Sequence, residues 1–291
     1  MNQTSNSEKR RGFEHNGGAL AATIANISHK VPRVKDEYTG ADGLLHCAVC
    51  HKATQCRIDL FGEPRIVPCI CDCRVKEIEA EKELKQREEN DSRRRVCFQD
   101  CREAFHWTFA NDDNANARIS GAMRRYAENY DDFRADGKGL LLWGNVGTGK
   151  SYHAACVANH LIDRGMSAYM ANFEQIALRL MDAKFGEKAQ ELEKLVNYDF
   201  LVFDDLGVER QSENMQAQVY NIIDGRYRTG KPFIVTTNLH IEEIKKPSEI
   251  KYARIYDRIL ERCIPVEVSG ASRRRHEAGA TYKDYIGKLG L

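Results

Sequence analysis

Eight residues near the middle of the chain could grip phosphate. Gly144, Asn145, Val146, Gly147, Thr148, Gly149, Lys150 and Ser151 satisfy G-x-x-x-x-G-K-S. A loop wrapped around a triphosphate turns its backbone amides inward, which needs bare Cα atoms and positive φ, hence glycine. Lys150 would supply a cation for the β- and γ-phosphates, and the Ser151 hydroxyl a ligand for Mg²⁺. A helix starting near Ser151, with Tyr152 in its first turn, adds its positive end to the anion site. The expected ligand is a nucleotide with Mg²⁺.

Hydrolysis needs carboxylates as well. Phe200-Leu-Val-Phe-Asp204-Asp205 is an apolar strand ending in two acids. Asp204 is expected to hold Mg²⁺ through water, and Asp205 to orient or deprotonate the attacking water. A later strand, PFIVTTN, ends on Asn238, a neutral amide suited to aligning water against the γ-phosphate. By itself an Asn after a strand also reads as a turn residue.

A second cluster is made of thiols. Six of the ten cysteines fall between Cys47 and Cys73. Disulfides seldom persist in a reducing compartment, so the crowding points to metal. Cys47-x-x-Cys50 forms a knuckle, and Cys69, Cys71 and Cys73 offer a second pair in a zinc-ribbon-like spacing. The expected Zn²⁺ ligands are Cys47, Cys50, Cys69 and Cys71, with Cys73 the replacement; Cys56, His46 and His51 are also near. Free thiols, redox chemistry and an iron–sulfur cluster are the alternative readings. So short a module has little core, and a structural metal would supply its folding energy. Cys97, Cys101, Cys156 and Cys263 lie apart and read as packing residues.

The elements that must position these groups follow from apolar patterning. Strands are expected at 139–143, 167–172, 199–205, 232–238 and 263–268, alternating with amphipathic helices such as 215–228, where Val219, Ile222, Ile223 and Tyr227 share a face. That alternation predicts an α/β fold with a parallel sheet covered on both sides. Ahead of it, residues 1–40 read as a flexible tail, 41–75 as the zinc-binding module, 76–97 as a charged helical connector and 98–291 as the nucleotide domain. Bulk numbers fit a globular chain. Of 291 residues 42% are hydrophobic, while 44 basic and 43 acidic side chains nearly cancel, so no global field advertises nucleic acid or a membrane surface. No run approaches the roughly 18 apolar residues of a bilayer span, and the expectation is a cytoplasmic protein with no membrane partner.

Taken in order, GNVGTGKS, LVFDDLG, TTN, ARIYDRILERC and the terminal GASRRR resemble the AAA+ ATPases, specifically the DnaC/DnaI-type replicative helicase loaders and their IstB-like relatives. The likeness covers about residues 98–291. It implies an ASCE-type five-stranded parallel sheet, and ATP-dependent work on a DnaB-type hexameric helicase with single-stranded DNA nearby. It makes Asn238 the sensor-1 residue and Arg258, with Arg254 as competitor, the arginine finger that completes a neighbouring subunit's site, so that protomers self-associate through ATP. Arg274 would be the sensor-2-like arginine, and TFANDDNAN (108–116) is similar to the segment that often borders adenine. Loaders of this kind carry an N-terminal zinc module that contacts the helicase. One departure stands out: most AAA+ proteins end the carboxylate strand Asp-Glu, so the shorter Asp205 implies slow hydrolysis.

The leading expectation is therefore a helicase-loader ATPase, slow and DNA-stimulated. An IstB-like transposition helper that oligomerises on DNA and recruits a transposase is the alternative, and a non-hydrolysing DNA-binding adaptor the third. Arg226, Arg228, Arg273 and Arg275 are candidate DNA contacts.

Overall fold

The computed structural model describes residues 36–183, 186–207, 213–247, 249–272, 285–286 and 288–289. The expected tail up to residue 35, and Arg273, Arg274 and Arg275, lie outside the described residues. The chain forms two compact units that divide between Arg87 and Glu88.

The first unit is built from two short hairpins. Strands β1 (Glu37–Thr39) and β2 (Leu45–Cys47) pair antiparallel, as do β3 (Gln55–Leu60) and β4 (Glu63–Pro68). The turn of the second hairpin is Phe61-Gly62, both at positive φ, which matches the twist of the flanking strands. Helix α1 (Asp72–Cys97) follows. It begins in the first unit and ends in the second. The compact division thus falls inside the segment expected as a connector, because the last turns of α1 are bound into the second unit: Asn90 and Cys97 are buried there.

The second unit carries helices α2 (Ala117–Glu128) and α3 (Tyr130–Ala135), strand β5 (Gly139–Trp143), α4 (Lys150–Asp163), β6 (Ala168–Asn172), α5 (Phe173–Asp182) and α6 (Lys188–Asn197). Then come β7 (Phe200–Leu206), α7 (Glu213–Thr229), β8 (Phe233–Thr237), α8 (Ile241–Lys245), α9 (Ile250–Arg262) and β9 (Cys263–Glu267). The strands form one parallel sheet in the order β6-β7-β8-β5-β9. Runs such as Leu140-Leu141-Leu142 and Phe200 to Phe203 are buried on both faces, which is why they do not alternate with polar residues. Leu140 and Leu142 pack with Ala154, Ala155, Val157 and Leu161 of α4; Leu141 faces Val219, Ile222 and Ile223 of α7 and Ile255 and Ile259 of α9. Each face is covered by helices.

Two consequences bear on the site. Strand β8 stands between β5, which leads into the glycine loop, and β7, which carries the acids. And β7 is irregular against β8 between Phe203 and Leu206, with Asp205 at φ 55°. Among the described residues no helix is long and apolar enough to cross a membrane.

Candidate functional site

The glycine loop runs from the end of β5 to the start of α4, with Gly144, Gly147 and Gly149 all at positive φ. Glycine is required twice over at 144 and 147. A Cβ on Gly144 would lie 2.6 Å from the Val268 carbonyl oxygen, and one on Gly147 would lie 2.2 Å from Ser272 Oγ. The segment leaving β9 thus lies directly against the loop.

Lys150 is 5% exposed, and its Nζ donates to the carbonyls of Gly144 (2.9 Å) and Asn145 (2.7 Å) and to Asn238 Oδ1 (2.8 Å). Such an ammonium needs acceptors once desolvated, and phosphate oxygens could replace these. The Ser151 hydroxyl donates to Asp204 Oδ1 at 2.7 Å, and Thr236 Oγ1 donates to the same oxygen at 2.5 Å. Burial pushes the Asp204 carboxyl up from its ordinary value, against the pull of those two hydroxyls. Two oxygen donors on adjoining elements make a hard-ligand pair of the kind Mg²⁺ takes.

Asp205 follows in the left-handed conformation, its N–H donating to Thr236 Oγ1 at 3.0 Å. On a regular strand successive side chains leave opposite faces; the irregularity at this point turns Asp205 into the cavity beside Lys150 and Ser151. Asp tolerates that backbone better than a bulkier residue. The cavity, about 430 Å³, is lined by loop residues with Tyr152, Asp205 and Asn238, and by Glu103 and Trp107. So the structure brings Lys150, Ser151, Tyr152, Asp204, Asp205 and Asn238 together.

Glu103 and Trp107 were not anticipated, nor was Thr236. Trp107 stands just before the 108–116 segment, its ring 5.8 Å from that of Tyr152, whose hydroxyl donates to the Thr108 carbonyl. Only the rarity of tryptophan marked it.

The arginines fall out differently. Arg258 lies away from the cavity: its guanidinium pairs with Asp224 (2.7 Å), donates to the Tyr220 hydroxyl (3.0 Å) and lies over that ring. Arg254, one turn back, is exposed. Arg226 corrects its reading as a DNA contact. It is fully buried and donates to the carbonyls of Val196, Tyr198, Asp199 and Pro232, and burial lowers its pKa to about 10. Arg228 is exposed and paired with Asp224 at 2.7 Å.

In the first unit the sulfurs of Cys47, Cys50, Cys71 and Cys73 all lie within 4.8 Å of one another. A tetrahedral Zn–thiolate site, with bonds of about 2.3 Å, asks for sulfurs roughly 3.8 Å apart, and the four thiols approach that spacing. The set therefore takes Cys73 where the spacing favoured Cys69. The reason is local. Helix α1 starts at Asp72 and places Cys71 and Cys73 at its positive end, whereas Cys69, back on the hairpin, turns its thiol to the Ala53 carbonyl (3.3 Å). His46 is engaged by Asp42 and by the His51 carbonyl. Backbone N–H groups of Lys52 and Cys73 on the Cys50 sulfur help lower its pKa to about 6, the thiolate form a metal requires. Cys97, Cys156 and Cys263 are buried packing residues, and Cys101 is half-buried.

Comparison with known proteins places this geometry. The family model described as IstB-like ATP binding protein matches residues 75–280. Over 126 residues the chain is 31% identical to the replicative helicase loader DnaC of Escherichia coli K12, covering 42% of this chain and 50% of that protein. It is 26% identical over 149 residues to the replicative helicase loader DnaI of Bacillus subtilis 168, covering 47% and 48%. The chain thus spans about half the length of the curated relatives it matches. Among solved structures, the DnaC helicase loader superposes with a TM-score of 0.50 at 23% identity, covering 57% of this chain and 99% of that one. That likeness is one of fold, and it agrees with the five-stranded sheet.

Proposed function

The chain belongs to the family of IstB-like ATP binding proteins, and on that premise we propose that it is an ATPase that loads a DnaB-type hexameric helicase onto single-stranded DNA. The observation that carries the reading is the meeting of Lys150, Ser151, Asp205 and Asn238 around one cavity, with Ser151 bonded to Asp204 behind it, in a chain similar to DnaC and DnaI.

ATP enters with its phosphates against the loop amides. Lys150 gives up the carbonyls of Gly144 and Asn145 for the β- and γ-phosphates, and Asn238, released from the lysine, is left facing the attacking water. Ser151 and Asp204 would hold Mg²⁺, which would supply neutralisation of the developing charge. Thr236 keeps Asp204 in place, and Asp205 orients the water and takes its proton. The carboxylate of Asp205 is one methylene shorter than a glutamate's, which makes turnover slow and suits a switch that holds ATP. Arg258 serves a neighbouring protomer only after leaving Asp224, so assembly and release are coupled. The sensor-2-like role is assigned to Arg274 by sequence resemblance alone. Cys47, Cys50, Cys71 and Cys73 would hold Zn²⁺, which would supply folding energy to the first unit for its contact with the helicase.

The test is co-purification with the hexameric helicase in ATP, together with ATP turnover measured with and without single-stranded DNA. A monomer indifferent to both overturns the proposal. Similarity to putative insertion-sequence ATP-binding proteins supports a second reading, a transposition helper that oligomerises on duplex DNA and recruits a transposase. Filament formation on duplex DNA, without helicase capture, would select it.

A further inference from the structure

Asn159 is an amide buried in the middle of α4, 1% exposed. Its Nδ2 donates to two carbonyls of the turn that carries the cavity-lining Glu103 and Trp107, those of Ala104 (2.9 Å) and Trp107 (2.8 Å). Its Oδ1 accepts from Arg94 Nε at 2.9 Å, on the last turns of α1. Arg94 also pairs with Asp163 at the end of α4, and Asn90 Nδ2 reaches the Asp163 carbonyl. Three segments thus meet on one side chain.

Both ends of the cavity lead there. Its phosphate end is Lys150, the first residue of α4, which is a rigid rod down to Asn159, about 14 Å along. Its other end is Glu103 and Trp107, in the short turn whose carbonyls Asn159 holds. Only an amide offers two donors and an acceptor in one plane, so each neighbouring side-chain type would break at least one arm. In a dry interior such a satisfied junction is stiff.

The geometry points to Asn159 as a positioning residue that holds the Glu103–Trp107 wall against nucleotide and passes occupancy of the cavity to the end of α1 through Arg94. This rests on the reading of the cavity as a nucleotide site. Filling the cavity presses the wall and the loop together; α4 and the turn 102–107 tighten about the shared amide, and Arg94 tightens with them. Asn159 touches no nucleotide and takes no part in the chemistry.

Amide hydrogen exchange on the full chain, with and without ATP and Mg²⁺, tests this. In the unaltered protein ATP should slow exchange in the loop, in 102–108 and in 88–97 together. Asn159→Asp keeps the Arg94 arm and sets a carboxylate against two carbonyls. It should raise KM for ATP about tenfold, the scale of one or two buried hydrogen bonds, with kcat within about twofold. Arg94→Gln should leave KM in place and abolish ATP-dependent protection of 88–97 alone. Protection of the loop without 88–97 in the unaltered chain overturns the inference, whether or not Asn159→Asp folds. So does an Asn159→Asp protein with unchanged KM and unchanged protection of 102–108. Absence of any ATP effect on the loop would instead sink the nucleotide reading beneath it.

Discussion

Lys150 Nζ and Asn238 Oδ1 meet at 2.8 Å, the cation from the start of α4 and the amide from just past the end of β8. Each occupies a place beside the cavity where a γ-phosphate would lie, and binding must separate them. Replacing Asn238 should therefore affect two steps in opposite ways. Asn238→Ala frees Lys150 for phosphate and removes the amide proposed to align water. We expect ATP affinity unchanged or slightly higher and turnover lower by about 10²-fold, the usual cost of one preorganised donor. Equilibrium binding and single-turnover hydrolysis read the two separately.

The left-handed backbone of Asp205 limits what can replace it. Asn is at home there, so Asp205→Asn should fold, bind ATP as before and lose hydrolysis. Asp205→Glu restores the longer acid usual in AAA+ proteins. It should speed turnover while lowering stability by about 1 kcal/mol through backbone strain. Denaturant unfolding beside a steady-state ATPase assay checks both; a glutamate variant that is slower than the parent would refute the link between acid length and rate.

Zinc content separates two neighbouring thiols. One Zn²⁺ per chain is expected by metal analysis. Cys73→Ser should lose it and Cys69→Ser retain it, because Cys73 lies with Cys47, Cys50 and Cys71. Chelation should unfold the first unit, whose hairpins bury little apolar surface, and leave ATP binding by the second in place.

Arg226 is a structural arginine. Its removal takes a buried donor from four carbonyls, of which only that of Asp199 keeps another side-chain donor, the Tyr130 hydroxyl, so Arg226→Ala should destabilise the second unit by about 3 kcal/mol or more. Titration of DNA against folded protein should show the same affinity as the parent. A loss of DNA binding without loss of stability would contradict the buried role.

Arg258 is tested by mixing. If it serves a neighbour, Lys150→Ala and Arg258→Ala proteins are each inactive alone, yet together they form interfaces that pair an intact loop with an intact arginine. Turnover of the mixture should then exceed the sum of its parts.

The phosphate loop was legible because its chemistry dictates residue types at fixed spacing, and the strands because a sheet buried on both faces leaves unbroken apolar runs. What was illegible depended on partners far away in the chain. Thr236 reads as one more β-branched strand residue; only the adjacency of β7 and β8 gives its hydroxyl to Asp204. Arg226 reads as a surface cation, because nothing local announces four converging carbonyls. The thiol set turned on where α1 begins, and helix starts are the least certain feature of a sequence. Glu103 and Trp107 reach the cavity through a short turn whose placement depends on Asn159, half a domain away.

The order of strands has one more result. With β8 interposed, β5, which leads into the glycine loop, and β7, which carries Asp204, stand about 10 Å apart, two strand spacings, and the middle strand alone adjoins both. Thr236 hangs from it, and Asn238 lies one residue past its end. A tilt or slide of that single ribbon would change the grip on the nucleotide and the cutting of it at once, so substitutions along β8 should act jointly on affinity and turnover and fail to add.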